Sequence, residues 1–322
     1  SRRRHATQTR ISAINPTDPN AKKIGGLYVE KGRLLVNAYS FYDGNASAVA
    51  SLFSHDMALS GAVSGPVRVG SPVGYTSGYL ANIPSEWRAA FGGEMLVGNC
   101  CLSILGRTSS GPSVSAFTPG LPLASPTNAT MLVGYPLEHQ PLGSCTTANA
   151  LFNCASSIRG VVFAPGSRSV LFIGTLGKGS ITYKQVSGGY DAQTYVPYVW
   201  AYDANDLLQV RNGTKQTWEV LPYATWTLPG ISVGKDAIGG AAFDAASGRL
   251  YVTQNYGDGA KPRVHVYSLG SGTPPTSDTT VPAVNLTAPT AGSSVSGTRT
   301  VSASASDNVG VAGVWFTVDG ST

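Results

Sequence analysis

Long hydrophobic runs are missing from this chain: no stretch of about 18 apolar residues exists, so no segment reads as a membrane-spanning helix. Charge is also scarce. Charged residues make up 12 % of the sequence, against about 25 % in an average soluble domain, and this leaves little material for solvent-exposed helices. Helical periodicity is absent as well, with no long run that repeats every three or four residues. Reactive signatures are lacking too. The sequence holds no G-x-S-x-G elbow, no H-E-x-x-H, no P-loop and no C-x-x-C-H, and its four histidines (His5, His55, His139, His265) stand far apart.

The net charge of +5 raises the question of nucleic acid, and its distribution answers it. Residues 1–23 carry Arg2, Arg3, Arg4, Arg10, Lys22 and Lys23 against Asp18, and this segment alone accounts for the whole excess. The remainder is neutral. A binder of phosphate backbones needs its basic groups on the folded body, so no nucleic-acid partner is expected. The chain opens on Ser without a charged and then apolar leader, and it reads as a mature form or a fragment. Sequons stand at Asn45, Asn128, Asn212 and Asn285, a pattern common by chance.

What is abundant is turn chemistry, with 39 Gly and 20 Pro. Between 24 and 270, short alternating apolar runs are closed by Gly, Asn, Asp or Pro, which is an all-β pattern. One phrase recurs: "IGGLYVEKGRLLVNAY" at 24–39, "IRGVVFAPGSRSVLFIGT" at 158–175 and "IGGAAFDAASGRLYVTQ" at 238–254. Each copy is a Gly-led strand, a polar turn, an Arg and a second strand. The aromatic runs "YVWAYDANDLLQV" at 198–210 and "RVHVYSLG" at 263–270 suit half-buried strands. Repeated β units separated by long inserts point to radial repetition, so 24–270 resembles a β-propeller of undetermined blade number. The rival is a large sandwich or jelly roll. The spacing leaves room for two or three less recognisable blades between 40 and 157, and "TRISAINP" at 9–16 reads as the end of an upstream strand.

Residues 271–283, rich in Pro, Thr and Ser, read as a linker. The last stretch, 284–322, carries Pro289 and Gly292 at a first turn, Asp307 and Asn308 at a second, and the alternation Val314, Phe316, Val318. These residues resemble the opening strands of bacterial immunoglobulin-like modules. The resemblance implies a secreted or cell-surface protein of the kind that binds or cuts extracellular polymers. It covers too few strands for a complete sandwich, and an incomplete one exposes its inner faces and an edge. The segment is therefore expected to be poorly ordered or to lean on the propeller.

An oxidising location makes pairing of the four cysteines credible. Cys145 and Cys154 flank a short loop-like stretch, and pairing them leaves Cys100 with Cys101. Adjacent Cα atoms at about 3.8 Å are closer than most disulfides prefer. Crossed pairing and free thiols remain open alternatives.

For binding, Trp87, Tyr198, Trp200, Trp218, Trp226 and Tyr256 are the aromatic candidates, because flat rings with polar tips stack on sugars. For catalysis the candidates are His139, Arg159, His55 and Asp56: a lyase needs a base and a cation, and a glycosidase needs two carboxylates. No cofactor and no metal is expected. Asp203, Asn205 and Asp206 read as a capped type I turn, with a Ca2+ loop as the alternative. Two functional readings stand beside each other: a binder of extracellular carbohydrate or similar polymer, and a polysaccharide lyase or glycoside hydrolase on the same scaffold. A third is a surface for protein partners. The oligomeric state is left open.

Overall fold

The computed structural model describes residues 22–40, 50–57, 63–101, 108–145, 150–184, 189–232, 234–269, 281–307, 314 and 316–317. Two compact units divide it, Ser1–Ser271 and Gly272–Thr322.

The first unit is a four-bladed β-propeller arrangement. Blade 1 pairs β1 (Lys22–Glu30), β2 (Arg33–Ser40), β3 (Leu52–Asp56) and β4 (Ser64–Val67) in sequence order. Blade 2 follows with β5 (Leu80–Asn82), β6 (Met95–Val97), β7 (Val114–Phe117) and β8 (Ala129–Val133). Blade 3 holds β9 (Ser157–Phe163), β10 (Ser169–Tyr183), β11 (Tyr190–Asp203) and β12 (Ala224–Thr227). Blade 4 has three described strands, β13 (Ile238–Asp244), β14 (Arg249–Asp258) and β15 (Lys261–Ser268). All pairings are antiparallel. The recurring phrases are therefore the first two strands of blades 1, 3 and 4.

Only one further blade lies between the first two phrases, not the two or three that the spacing allowed. The reason is insert length. Helix α1 (Ser85–Phe91) stands between β5 and β6, and the described residues of 98–113 and 134–156 belong to no named strand or helix. Pro84 ahead of α1 and Gly92 behind it, at φ 71°, give the helix its start and its left-handed stop. The second helix, α2 (Ala204–Arg211), corrects another expectation: the stretch read as a turn is helical. The Asp203 side chain caps it by accepting from Asn205 N at 2.9 Å.

The Gly-led start of the first phrase has a packing cause. A Cβ at Gly26 would lie 2.7 Å from the Gly78 carbonyl oxygen, and one at Gly25 would lie 2.1 Å from that of Ser77. Strand β1 approaches the backbone of Ser77 and Gly78 too closely for side chains at these two positions. Further out, blades pack through apolar clusters. Tyr28, Leu35 and Leu52 meet Leu80, Met95 and Val97 between blades 1 and 2. Tyr79, Leu132 and Tyr135 meet Phe172, Trp200 and Tyr202 between blades 2 and 3. Ile173, Val199 and Ala201 meet Ile238, Leu250 and Val252 between blades 3 and 4.

The second unit contains one described two-stranded sheet, β16 (Ala283–Ala288) with β17 (Ser302–Ser306). Val284 and Leu286 are exposed, and no complete sandwich core is present among the described residues. Asn308 and Val318, like 9–16, Asn45, the linker residues 271–280 and all but the last two residues of the basic 1–23 segment, lie outside the described residues.

Candidate functional site

Blade 3 departs from its neighbours in strand length, and that difference builds the site. Strand β9 pairs with β10 only over Val170–Thr175, and β12 pairs with β11 only over Tyr198–Ala201. The β10–β11 pairing continues past both, through Leu176↔Val196 and Gly177↔Tyr195 to Tyr183↔Tyr190. A two-stranded ribbon thus extends from the blade.

Tyrosines and paired charges are concentrated along this ribbon. At its far end the rings of Tyr183 and Tyr190 meet edge to face, with centroids 5.1 Å apart. Asp191 binds Lys235 Nζ at 2.6 Å and Lys184 Nζ at 3.3 Å. The hydrogen bond from Lys235 holds the Asp191 carboxyl below its ordinary value. Tyr195 donates to Asp191 Oδ1 at 3.3 Å and accepts from Ala192 N at 2.8 Å. Burial raises its hydroxyl pKa, and the neighbouring Asp191 charge adds to this. Nearer the blade, Lys178 Nζ lies 5.8 Å from the centre of the Tyr198 ring, within cation–π range. Beside Lys235, Asp236 pairs with Arg159 on β9 at 3.0 Å. Asn153 and Ser156 fix the ribbon's base through Gly177 O and Gly177 N.

A separate feature lies on the axis. A cavity of about 120 Å³ is lined by Leu27, Leu80, Asn82, Val161 and Phe243, among others, so all four innermost strands reach it. Arg88 on α1 donates to Asn82 Oδ1 and Ile83 O, both at 2.9 Å. Its lining side chains are apolar apart from Asn82 and Tyr28.

Both disulfides form: Cys100 with Cys101 and Cys145 with Cys154, leaving no free cysteine among the described residues. The Cα atoms of the adjacent pair are 3.7 Å apart, and Cys101 takes φ 72°. Cys100 is buried in the cluster between blades 2 and 3, and Cys101 packs against the same cluster. The pair therefore faces core, just past β6 and not within a strand. Ser113 Oγ donates to Asn99 O and accepts from Asn99 N, while Asn99 Nδ2 donates to Ser77 Oγ. Ahead of them, a Cβ at Gly98 would lie 1.9 Å from Ser113 O, so this backbone contact requires glycine.

The structure sorts the aromatic candidates by exposure. Trp200 is fully buried, its Nε1 donating to Leu151 O, and it offers no face to solvent. Trp87 packs on Phe91 and Phe163 and donates to Ser167 O. Trp218 is covered on one face by His139, stacked at 4.2 Å with 4° between planes. Trp226 and Tyr256 are exposed, and Tyr198 lies at the base of the ribbon. Of the ionisable candidates, Arg159 adjoins the ribbon's charges. His55 is buried in β3, opposite Leu34, and Asp56 stands opposite Arg33. Asp203, which a Ca2+ loop would use as a ligand, binds Arg168 at 2.7 Å. Asp206 binds Lys215 at 2.8 Å.

Tyr183, Tyr190, Asp191 and Lys235 were not singled out from the sequence. The available signal was the unusually long apolar alternation before "KQVSGGYDAQTYV", which continues past the end of an ordinary blade strand.

The fold defines a β-propeller followed by a further β unit. Residues 282–322 match the bacterial Ig domain family, and no curated protein matches the chain. Bacterial Ig domains and two disulfides fit an extracellular protein. No helix among the described residues is long and apolar enough to cross a membrane.

Proposed function

We propose that this is a secreted binding protein for an extracellular polysaccharide, with the β10–β11 ribbon as its contact surface. The observation that carries the reading is the arrangement of Tyr183, Tyr190, Tyr195 and Tyr198 beside Lys178, Lys184, Asp191 and Lys235 on one projecting element. Tyrosine rings stack on the apolar faces of sugars while their hydroxyls stay hydrated. The ammonium groups and the carboxylate supply donors and acceptors for sugar hydroxyls. Four cations (Lys178, Lys184, Lys235, Arg159) stand against two acids (Asp191, Asp236), so polymers bearing carboxylate or sulfate groups are favoured over neutral ones.

Affinity electrophoresis through gels containing neutral or acidic polysaccharides tests this. The expected result is retardation by acidic polymers, weakened about tenfold in Tyr183→Ala/Tyr190→Ala, which removes two stacking rings worth roughly 0.5–1.5 kcal/mol each. Equal migration of native and double-variant protein in every gel would refute the assignment. Release of unsaturated uronates or reducing ends from the same polymers would instead establish the enzymatic reading.

A further inference from the structure

The pairing of β14 with β15 is interrupted close to the ribbon. It runs without a break from Arg249↔Ser268 to Gln254↔Arg263 and resumes at Asp258↔Lys261. Between these pairs Asn255, Tyr256 and Gly257 stand opposite Pro262 alone. Proline has no N–H to give the ladder, so the excess residues of β14 bulge. Within the bulge Tyr256 takes φ 54°, a left-handed conformation that is an outlier for a bulky residue. The same residue is 77 % exposed, so burial does not hold its ring there. Bulges re-aim side chains, and left-handed non-glycine residues cluster at binding and catalytic positions.

Hydrogen bonds fasten this bulge to the charged part of the ribbon. Asn255, next to Tyr256, donates from its backbone N to Ala237 O and from Nδ2 to Asp236 O, both at 2.9 Å. The same short segment also reaches the ribbon, where Lys235 Nζ donates to Tyr190 O at 2.8 Å and to Asp191 Oδ1 at 2.6 Å. Residues 235–237 therefore bridge Tyr190 to Asn255, with the Asp236–Arg159 ion pair between them. We propose that Tyr256 is a second stacking platform of the polysaccharide surface. The site then runs from the Tyr183–Tyr190 pair across Lys235 and Arg159 to Tyr256, and it takes several consecutive sugars of an acidic chain rather than a single one. Rings at both ends stack on sugar faces, and the cations between them meet the carboxylate or sulfate groups. This inference rests on the ribbon reading above and adds to it a ring from blade 4.

Affinity electrophoresis of the full chain through gels of polygalacturonate, alginate and heparin tests the proposal. Tyr256→Gly removes the ring and suits the left-handed backbone, so its thermal midpoint should equal or exceed that of the native protein. In the gel that retards the native protein most, its dissociation constant should rise about fivefold, as loss of one stacked ring predicts. Tyr256→Phe keeps the ring and should bind as the native protein does. Competition by oligosaccharides of that polymer should strengthen with chain length more steeply for the native protein than for Tyr256→Gly, because a second contact on one chain acts through effective concentration. A lower midpoint for Tyr256→Gly would assign the ring a structural role and overturn the proposal. Unchanged binding by Tyr256→Gly, where Tyr183→Ala/Tyr190→Ala is weakened, would overturn it and leave the ribbon reading standing. Weakening by Tyr256→Gly alone would place the site off the ribbon and overturn the shared surface, and retardation in no gel would overturn both readings.

Discussion

At the scale of single residues, the adjacent cysteines matter less than the glycine two positions ahead of them. Gly98 brings its Cα against the Ser113 carbonyl and the Tyr79 ring, where a Cβ would lie 1.9 Å and 2.5 Å from the nearest atoms. Ser113 is itself held by Asn99 and accepts from Tyr79 Oη at 2.7 Å, so it has little freedom to retreat. Gly98→Ala should therefore destabilise the protein by about 1–3 kcal/mol, as overpacking does. Gly120→Ala, where a new Cβ meets nothing within 4 Å, should be neutral or slightly stabilising. Urea denaturation midpoints would check both, and equal midpoints would contradict the packing account. The sequence offered the pairing of Cys100 with Cys101 as one of three alternatives. It did not show which way the pair faces, because that depends on Tyr135, Leu142 and Phe152, which enter the same cluster from distant segments.

At the scale of elements, the junction between β11 and α2 shows why a short helix was missed. Eight residues carry too little periodicity to stand out, and only Ala204 and Leu207 of α2 are buried. Asp203 nevertheless does two things there: it caps the helix and binds Arg168 Nη2 at 2.7 Å. Asp203→Ala should cost about 1–2 kcal/mol, from the lost cap and an unpaired, half-buried guanidinium. Asp203→Asn, which keeps a cap acceptor, should cost clearly less, and thermal unfolding would rank the two. Equal losses would mean that the cap contributes nothing. Strand β11 teaches a related lesson. Its alternation read as half-buried, yet Val199 and Ala201 pack toward blade 4 while Trp200 and Tyr202 pack toward blade 2, and all four are buried. An alternating pattern reveals which residues share a face, but not that a neighbouring blade covers the second face too. Ribbon residues such as Tyr190 were obscure for the opposite reason, since nothing local marks where a long hairpin outruns its sheet.

Across the whole molecule, the core between blades 2 and 3 makes stability depend on pH at the alkaline end. Tyr135 Oη donates to Val220 O at 2.5 Å, shares a 2.8 Å hydrogen bond with Tyr202 Oη, and joins the two blades. Burial pushes the hydroxyls of Tyr79, Tyr135 and Tyr202 far above the ordinary tyrosine value, and burial with the nearby Glu138 charge pushes Tyr75 up to about 12. In the unfolded chain such phenols ionise near pH 10. The folded state therefore holds these protons more tightly, and the unfolded state releases them first. Their contribution to stability is full below about pH 10 and declines as pH rises toward the folded values, by about 1.4 kcal/mol per pH unit for each phenol that ionises only on unfolding. Phenolate absorbance followed together with far-ultraviolet circular dichroism should show these tyrosines titrating only as the β signal collapses. Tyr202→Phe should make the alkaline loss of stability shallower by about one proton, although it also removes a hydrogen bond that lowers stability at every pH. Ionisation of all fifteen tyrosines with the circular dichroism intact would show that this core admits solvent and that the blades are not joined there as described.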